Sequence, residues 1–245
     1  MQSLNTFQIQ QKVYDIMPYD EEFKGVLGNI PQSVMMLVFG DSGNGKSEFT
    51  MRLAKSLCKH KIYVDWVSYE QGHGLDMQML LKRNNMIEVG SYFQVSDPNW
   101  KKDDDTSYLH DLDKKIGKRG SSDVFVIDSV QYMDITVKDY KWLKNRHKDK
   151  GFIFISHKEG KYPEGTTAKK IGYDGGCRIL VKNFIAIPEK NRYGGNDPYF
   201  VWEERARMLE QKFFLEYDKK DKKTLFTQLE MAENRDEEEG VIANE

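Results

Sequence analysis

Two cysteines in 245 residues, Cys58 and Cys177, supply neither a disulfide framework nor a four-cysteine zinc site, so both read as reduced core thiols. No apolar run approaches the roughly 20 residues that a membrane-spanning helix needs. The polar start Met1-Gln2-Ser3-Leu4-Asn5 lacks the pattern of a secretory leader. These absences predict a cytoplasmic globular protein with no membrane partner. No internal repeat is visible. The chain is 39% hydrophobic, enough to bury a full core as one domain with small appendages.

A net charge of −2 hides an uneven distribution. Residues 230–245 hold seven acidic residues against Arg235, a like-charge run without aromatics that predicts a disordered acidic tail. Residues 141–192 hold thirteen Lys or Arg against five Asp or Glu. Such a stretch fits a polyanionic partner as readily as a solvated basic face.

What is present begins with Gly40-Asp41-Ser42-Gly43-Asn44-Gly45-Lys46-Ser47, which fits G-x-x-x-x-G-K-[ST] directly after the apolar run Val34–Phe39. A phosphate cradle needs a strand to deliver it, glycines that let backbone N–H groups wrap the anion, and a helix N-terminus facing it. The helix is legible in Phe49, Leu53 and Leu57, spaced four apart, with Ala54 and Cys58 widening the buried stripe. Lys46 is expected to reach the β- and γ-phosphates of ATP, and the Ser47 hydroxyl to bind Mg²⁺.

Strand patterns recur at Val34–Phe39, Ile62–Tyr69, Tyr92–Val95, Val124–Asp128, Phe152–Ser156 and Ile179–Ile187, with helical patterns between them. The alternation predicts an α/β fold, a mainly parallel twisted sheet with helices on both faces. Tyr199–Glu203, Lys212–Tyr217 and Thr224–Leu229 follow without helices between them and read as an antiparallel extension. Residues 1–19 are expected to form an appended amphipathic helix ending near Pro18. Residues 20–229 make the core. Asp97–Gly120 reads as a polar surface segment holding a helix with Tyr108, Leu112 and Ile116 on one side.

Three residues at strand ends are expected to meet at the carboxyl edge of the sheet, where open α/β sheets bind ligands. Asp128 ends Val124-Phe125-Val126-Ile127 and is placed to hold Mg²⁺, on a strand taken to lie next to the P-loop strand. Glu70 ends Ile62–Tyr69, the first strand after the P-loop helix, and is the candidate to orient or deprotonate an attacking water; its competing role is capping the helix that starts near Gly72–Leu75. His157, just past Ser156, is the candidate contact to the γ-phosphate, against the commoner structural role of a lone histidine.

Taken in order, Gly40 to Ser47, Glu70, Asp128-Ser129-Val130-Gln131, Ser156-His157-Lys158-Glu159-Gly160 and Lys190-Asn191-Arg192-Tyr193-Gly194 resemble the RecA-like P-loop ATPases over residues 20–205, nearest the RadA and DnaB-helicase branch. The lead-in Glu22 to Gly28 is similar to that of RadA-type cores. The resemblance implies that Glu70 is the catalytic carboxylate and His157 a γ-phosphate sensor. It further implies that Lys190 and Arg192 act on the nucleotide of a neighbouring subunit in a ring or filament. The loop Lys158–Gly176 would bind single-stranded DNA through Lys158, Lys161, Lys169 and Lys170 with Tyr162 as a stacking surface, its five glycines leaving it unordered until nucleotide or DNA arrives. RadA's zinc finger and protease-like domain and DnaB's amino-terminal domain have no counterpart here. Glu48 replaces the hydroxyl residue that often follows the motif, which removes an α-phosphate contact, places a negative charge near the nucleotide and is expected to lower nucleotide affinity.

The function expected is DNA-dependent ATP hydrolysis by an oligomer in replication or recombination, as a helicase-like or strand-handling motor. Two other classes compete with it. One is a nucleotide-dependent assembly module that recruits a DNA-processing partner protein. The other is a P-loop small-molecule kinase, whose lid would need arginines where Asp97–Gly120 holds only Arg119.

Overall fold

The computed structural model describes residues 3–98 and 107–220. A short helix α1 (Thr6–Gln10) opens the chain, closed at its start by a reciprocal capping box between Asn5 and Gln8. The helix expected over residues 1–19 is therefore confined to five residues. Beyond it the backbone is extended, Ile16 bridges Pro31, and Met17 is drawn into the core by its backbone bond to Ile30.

Helix α2 (Lys24–Leu27) leads to strand β1 (Met35–Phe39), helix α3 (Lys46–Lys59) and strand β2 (Val64–Ser68). Then come α4 (Leu75–Arg83), β3 (Phe93–Ser96), α5 (Tyr108–Ile116) and β4 (Val124–Asp128). The short α6 (Val130–Met133) and α7 (Val137–Arg146) precede β5 (Gly151–Ser156) and a two-stranded hairpin, β6 (Lys158–Glu159) and β7 (Tyr162–Pro163). Helix α8 (Gly165–Asp174), β8 (Cys177–Lys182), β9 (Ile185–Asn191) and β10 (Tyr199–Phe200) complete the sheet domain, which ends at Val201. The unit that follows begins with α9 (Glu203–Leu209) and a helix over residues 211–220.

The sheet has eight strands in the order β10-β9-β8-β1-β5-β4-β2-β3. From β8 to β3 all neighbours run parallel, and β9 and β10 add antiparallel pairings at one edge. Strands buried on both faces explain the continuous apolar runs of β1, β4 and β5. Side chains alternate between two cores. Met36, Val38, Phe49, Leu53, Leu57 and Trp66 pack on the α3 side, and Leu37, Phe39, Phe125, Phe152, Phe154 and Tyr140 on the side of α5, α7 and α8.

Three further expectations change. The segment Ile179–Ile187 is not one strand but the hairpin of β8 and β9, turned at Asn183 and Phe184, both with positive φ. Lys212–Tyr217 is helical, with Phe213 stacked on Tyr217 one turn later. The stretch Lys158–Gly176 is a hairpin and a ten-residue helix instead of a loop. Thr224–Leu229 and the acidic tail lie outside the described residues. Among the described residues no helix is long and apolar enough to cross a membrane.

Candidate functional site

The site is built where β1, β5, β4 and β2 end together. In register, Phe39 faces Ser156, Asp128 faces Ile155, and Ser68 faces Asp128. β5 therefore lies between the P-loop strand and the Asp128 strand, which corrects the expected direct adjacency. The consequence is favourable, because His157 emerges between the two.

Gly40 permits the turn out of β1. A Cβ there would meet the carbonyl oxygen of Val181 at 2.1 Å. Gly45 takes φ 97°, the left-handed region, at the cap of α3, and no side chain caps that helix. Its first N–H groups are thus oriented toward an anion site. The hairpin tip between β8 and β9 braces the loop: Asn183 N–H donates to Asn44 Oδ1 at 2.6 Å, and Phe184 N–H to Asn44 O at 3.0 Å. The side chain of Asn44, expected at the nucleotide, holds the loop's shape.

Lys46 is 8% exposed, and its Nζ donates to Asp41 O at 2.9 Å. Burial pulls its ammonium below the usual lysine range, while Asp128, Glu70 and Asp41 push the other way. Asp128 is 3% exposed and accepts a bond from Trp66 Nε1 at 3.2 Å. Burial first, and Glu70 second, push its carboxyl up to about 7, against the pull of Trp66 and Lys46. The backbone carbonyl of Asp128 accepts N–H groups of Tyr69 at 2.7 Å and Glu70 at 3.2 Å, which pins Glu70 beside it. Glu70 Oε2 lies 3.6 Å from His157 Nε2. Helix α4 starts at a Gly74 cap without a side-chain bond, so Glu70 does not cap it.

The structure thus brings together Lys46, Glu70, Asp128 and His157, with Ser47 beside Lys46 in the first turn of α3. Among the described residues no group of three or more His, Cys, Asp or Glu gathers to hold a metal. The single carboxylate of Asp128 at this edge fits Mg²⁺, which binds through one or two oxygens of the protein and otherwise through phosphates and water. Ser47 and Asp128 would be the residues to hold it.

Other assignments move. Lys158 Nζ sits 2.6 Å from Asp41 Oδ2, on the P-loop itself, and Lys169 and Lys170 pair with Glu159 at 3.6 Å and Asp174 at 2.9 Å. Lys161 and the exposed Tyr162 lie in the β6–β7 hairpin. Lys190 stands opposite Arg178, which stands opposite Leu37, three residues short of Gly40. At about 3.3 Å per residue and about 4.8 Å per strand, Lys190 and Arg192 lie beyond reach of their own P-loop. Glu48 is turned to α4, where Asn84 Nδ2 donates to it at 2.9 Å and Arg83 approaches to 3.4 Å. Its charge is paired there and turned from the P-loop. Gln131 was not singled out as a site residue, yet it bonds Ser156, His157 and Glu164. Only its position three residues after Asp128 hinted at this.

The structure of the flagellar accessory protein FlaH from Methanocaldococcus jannaschii superimposes with a TM-score of 0.57 at 16% identity, covering 76% of this chain and 91% of that one. The KaiC-like protein PH0186 from Pyrococcus horikoshii gives 0.54 at 14% identity, with the same coverage. The fold is RecA-like. The likeness is one of RecA-like architecture and does not single out the RadA or DnaB branch. No protein-family model and no curated protein sequence matches the chain.

The raised carboxyl of Asp128 makes a stability prediction for the nucleotide-free RecA-like domain. Between the ordinary carboxyl value of 3.8 and about 7, the folded protein keeps a proton that the unfolded chain has lost. This contribution is therefore largest below that window and declines as pH rises through it. Asp128→Asn should abolish the decline, leaving the variant more stable than the native chain at pH 8 by on the order of 2 kcal/mol. Urea unfolding at pH 5 and pH 8 checks it; a difference between the two proteins that does not grow with pH contradicts it.

Proposed function

We propose that this protein is a Mg²⁺-dependent ATPase that works as an oligomer on single-stranded DNA in replication or recombination, with a partner protein of that machinery. The observation that carries the reading is the meeting of Lys46, Glu70, Asp128 and His157 at one sheet edge, behind an uncapped P-loop helix. Lys46 exchanges its bond to Asp41 O for phosphate oxygens. The first N–H groups of α3 hold the β-phosphate. Mg²⁺, when bound, neutralises charge developing on the phosphates. Glu70 accepts a proton from the attacking water, and His157 both contacts the γ-phosphate and fixes Glu70.

Hydrolysis is completed by a second copy. Lys190 and Arg178 are directly opposed across two antiparallel strands, a like-charge pairing that the ion pair of Arg178 with Glu189 at 3.1 Å offsets in part. Lys144 and Arg192 add to the cluster, and after burial it is Arg192 and Arg178 that hold the Lys190 ammonium below its usual range. A triphosphate from a neighbouring subunit relieves that repulsion.

For DNA, Lys161 and Tyr162 are the clearest contacts, since Tyr162 is 63% exposed and Lys158 has its partner in the P-loop. The pair Lys169–Glu159 is solvent-exposed and opens readily to a phosphate. Lys161→Ala with Tyr162→Ala should weaken single-strand binding by roughly 10- to 100-fold, given ~1–3 kcal/mol for a stacked base. It should also flatten the slope of log affinity against log salt by about 0.7. Fluorescence anisotropy with a labelled oligonucleotide measures both. Unchanged affinity and slope remove DNA from the hairpin. Turnover measured with and without the oligonucleotide separates the ATPase from a module that only assembles on nucleotide.

A further inference from the structure

One uncharged side chain joins the nucleotide edge to the hairpin. Gln131, on α6, donates from its Nε2 to Ser156 Oγ at 2.9 Å and to Glu164 O at 3.0 Å, and its Oε1 accepts the N–H of His157 at 3.3 Å. The amide orientation is set by its partners: reversed, its NH₂ would face the N–H of His157, and its oxygen would face the carbonyl of Glu164. Around it the root of the hairpin is closed. Ser156 Oγ donates to His157 O at 2.9 Å, and Glu164 N–H donates to the same carbonyl at 2.9 Å. Residues 157 and 164, the two ends of the hairpin, thus share one glutamine.

That glutamine is itself held from the other side. Only two residues separate it from Asp128, whose carbonyl is bound by the N–H groups of Tyr69 and Glu70. At the root of the hairpin, directly after His157, Lys158 reaches Asp41 in the P-loop. A shift of the His157 backbone therefore has two routes into the hairpin. One is the six-residue chain itself; the other is the direct amide link to Glu164.

We infer that Gln131 is a positioning residue that gears the β6–β7 hairpin to His157, so that a γ-phosphate met by His157 sets the position of Lys161 and Tyr162. This rests on the reading of the site as one for ATP. Gln131 touches no reacting atom. Its role is to make nucleotide state and hairpin state one event.

Gln131→Met keeps length and shape and removes all three bonds. Hydrogen exchange of residues 157–164 in the full chain, with and without a non-hydrolysable ATP analogue and Mg²⁺, reads the coupling. The native chain should show the hairpin protected about 10-fold by the analogue, and the variant should lose that protection while binding the analogue within about 2-fold of native affinity. In turnover assays the variant should keep its KM for ATP and lose stimulation by single-stranded DNA. Equal protection in both proteins overturns the inference. Should Gln131→Met fail to fold, Gln131→Glu, which keeps the acceptor for His157 and loses both donors, gives the same readout; retained protection there also overturns it. Native protein that binds the analogue and protects the hairpin but never hydrolyses ATP sinks the ATPase reading and leaves the gearing standing. Native protein that binds no nucleotide sinks both.

Discussion

Alanine at Arg192 should lower ATP turnover by ~10³- to 10⁵-fold, the range over which arginine fingers act on phosphoryl transfer. The loss should come without loss of fold, because among the described residues no hydrogen bond or ion pair of the Arg192 side chain holds the sheet together in the way Lys190 does. Lys190 Nζ donates to Tyr173 O at 2.5 Å and Gly175 O at 2.8 Å, closing the end of α8, so a substitution there mixes a structural effect with a chemical one. Arg192 contributes its backbone N–H to Gly176 O at 3.0 Å, which alanine preserves. Nucleotide affinity should move much less than turnover, since the finger acts on charge that develops during transfer. Steady-state kinetics with thermal melting in parallel checks this. Turnover within a few-fold of native, at unchanged melting temperature, would remove the trans role.

Glu70→Gln should cut kcat by roughly 10²- to 10⁴-fold, the usual weight of a positioned general base, with KM for ATP nearly unchanged. The replacement is nearly isosteric, and the backbone N–H that binds Asp128 O remains. A secondary effect runs in the opposite direction to the loss of rate. Glu70 is the second cause of the raised Asp128 carboxyl, so the glutamine lets Asp128 ionise more readily and should hold Mg²⁺-nucleotide at least as tightly. A variant that binds well and turns over slowly is the signature. Weak binding with normal kcat would instead make Glu70 a binding group, and the proton acceptor would have to be sought elsewhere on the edge.

The parts of this molecule legible in the sequence are those set by local pattern. Apolar runs ending in Phe39, Asp128 and Ser156 announced parallel strands, and strand ends announced the site, because side chains at those ends have one direction in which to emerge. Strand order did not follow, since nothing local tells β4 that β5 will insert between it and β1. The hairpin of β8 and β9 was hidden because Asn183 and Phe184 look like strand interior until their positive φ is seen. Glycines misled at α8: a Cβ on Gly172 would come within 2.9 Å of Leu37, so that glycine serves close packing, and Ala168 and Ile171 carry a helix through a stretch that reads as flexible. Aromatic density misled in the opposite sense at Phe213 and Tyr217, where spacing of four, not two, was the informative feature. The ion pairs of Lys158 and Glu48 are contacts across 117 and 35 residues, which no local pattern carries.

The central claim is that each reaction centre joins one subunit's P-loop to a neighbour's Arg192. Two inactive variants mixed in equal amounts test it directly: Lys46→Ala, which lacks a working phosphate cradle but has its finger, and Arg192→Ala, which has the reverse. Random assembly leaves about one interface in four with both groups intact, so the mixture should recover about a quarter of native turnover. A mixture as inactive as its components, in assemblies shown to exchange subunits, would contradict the account.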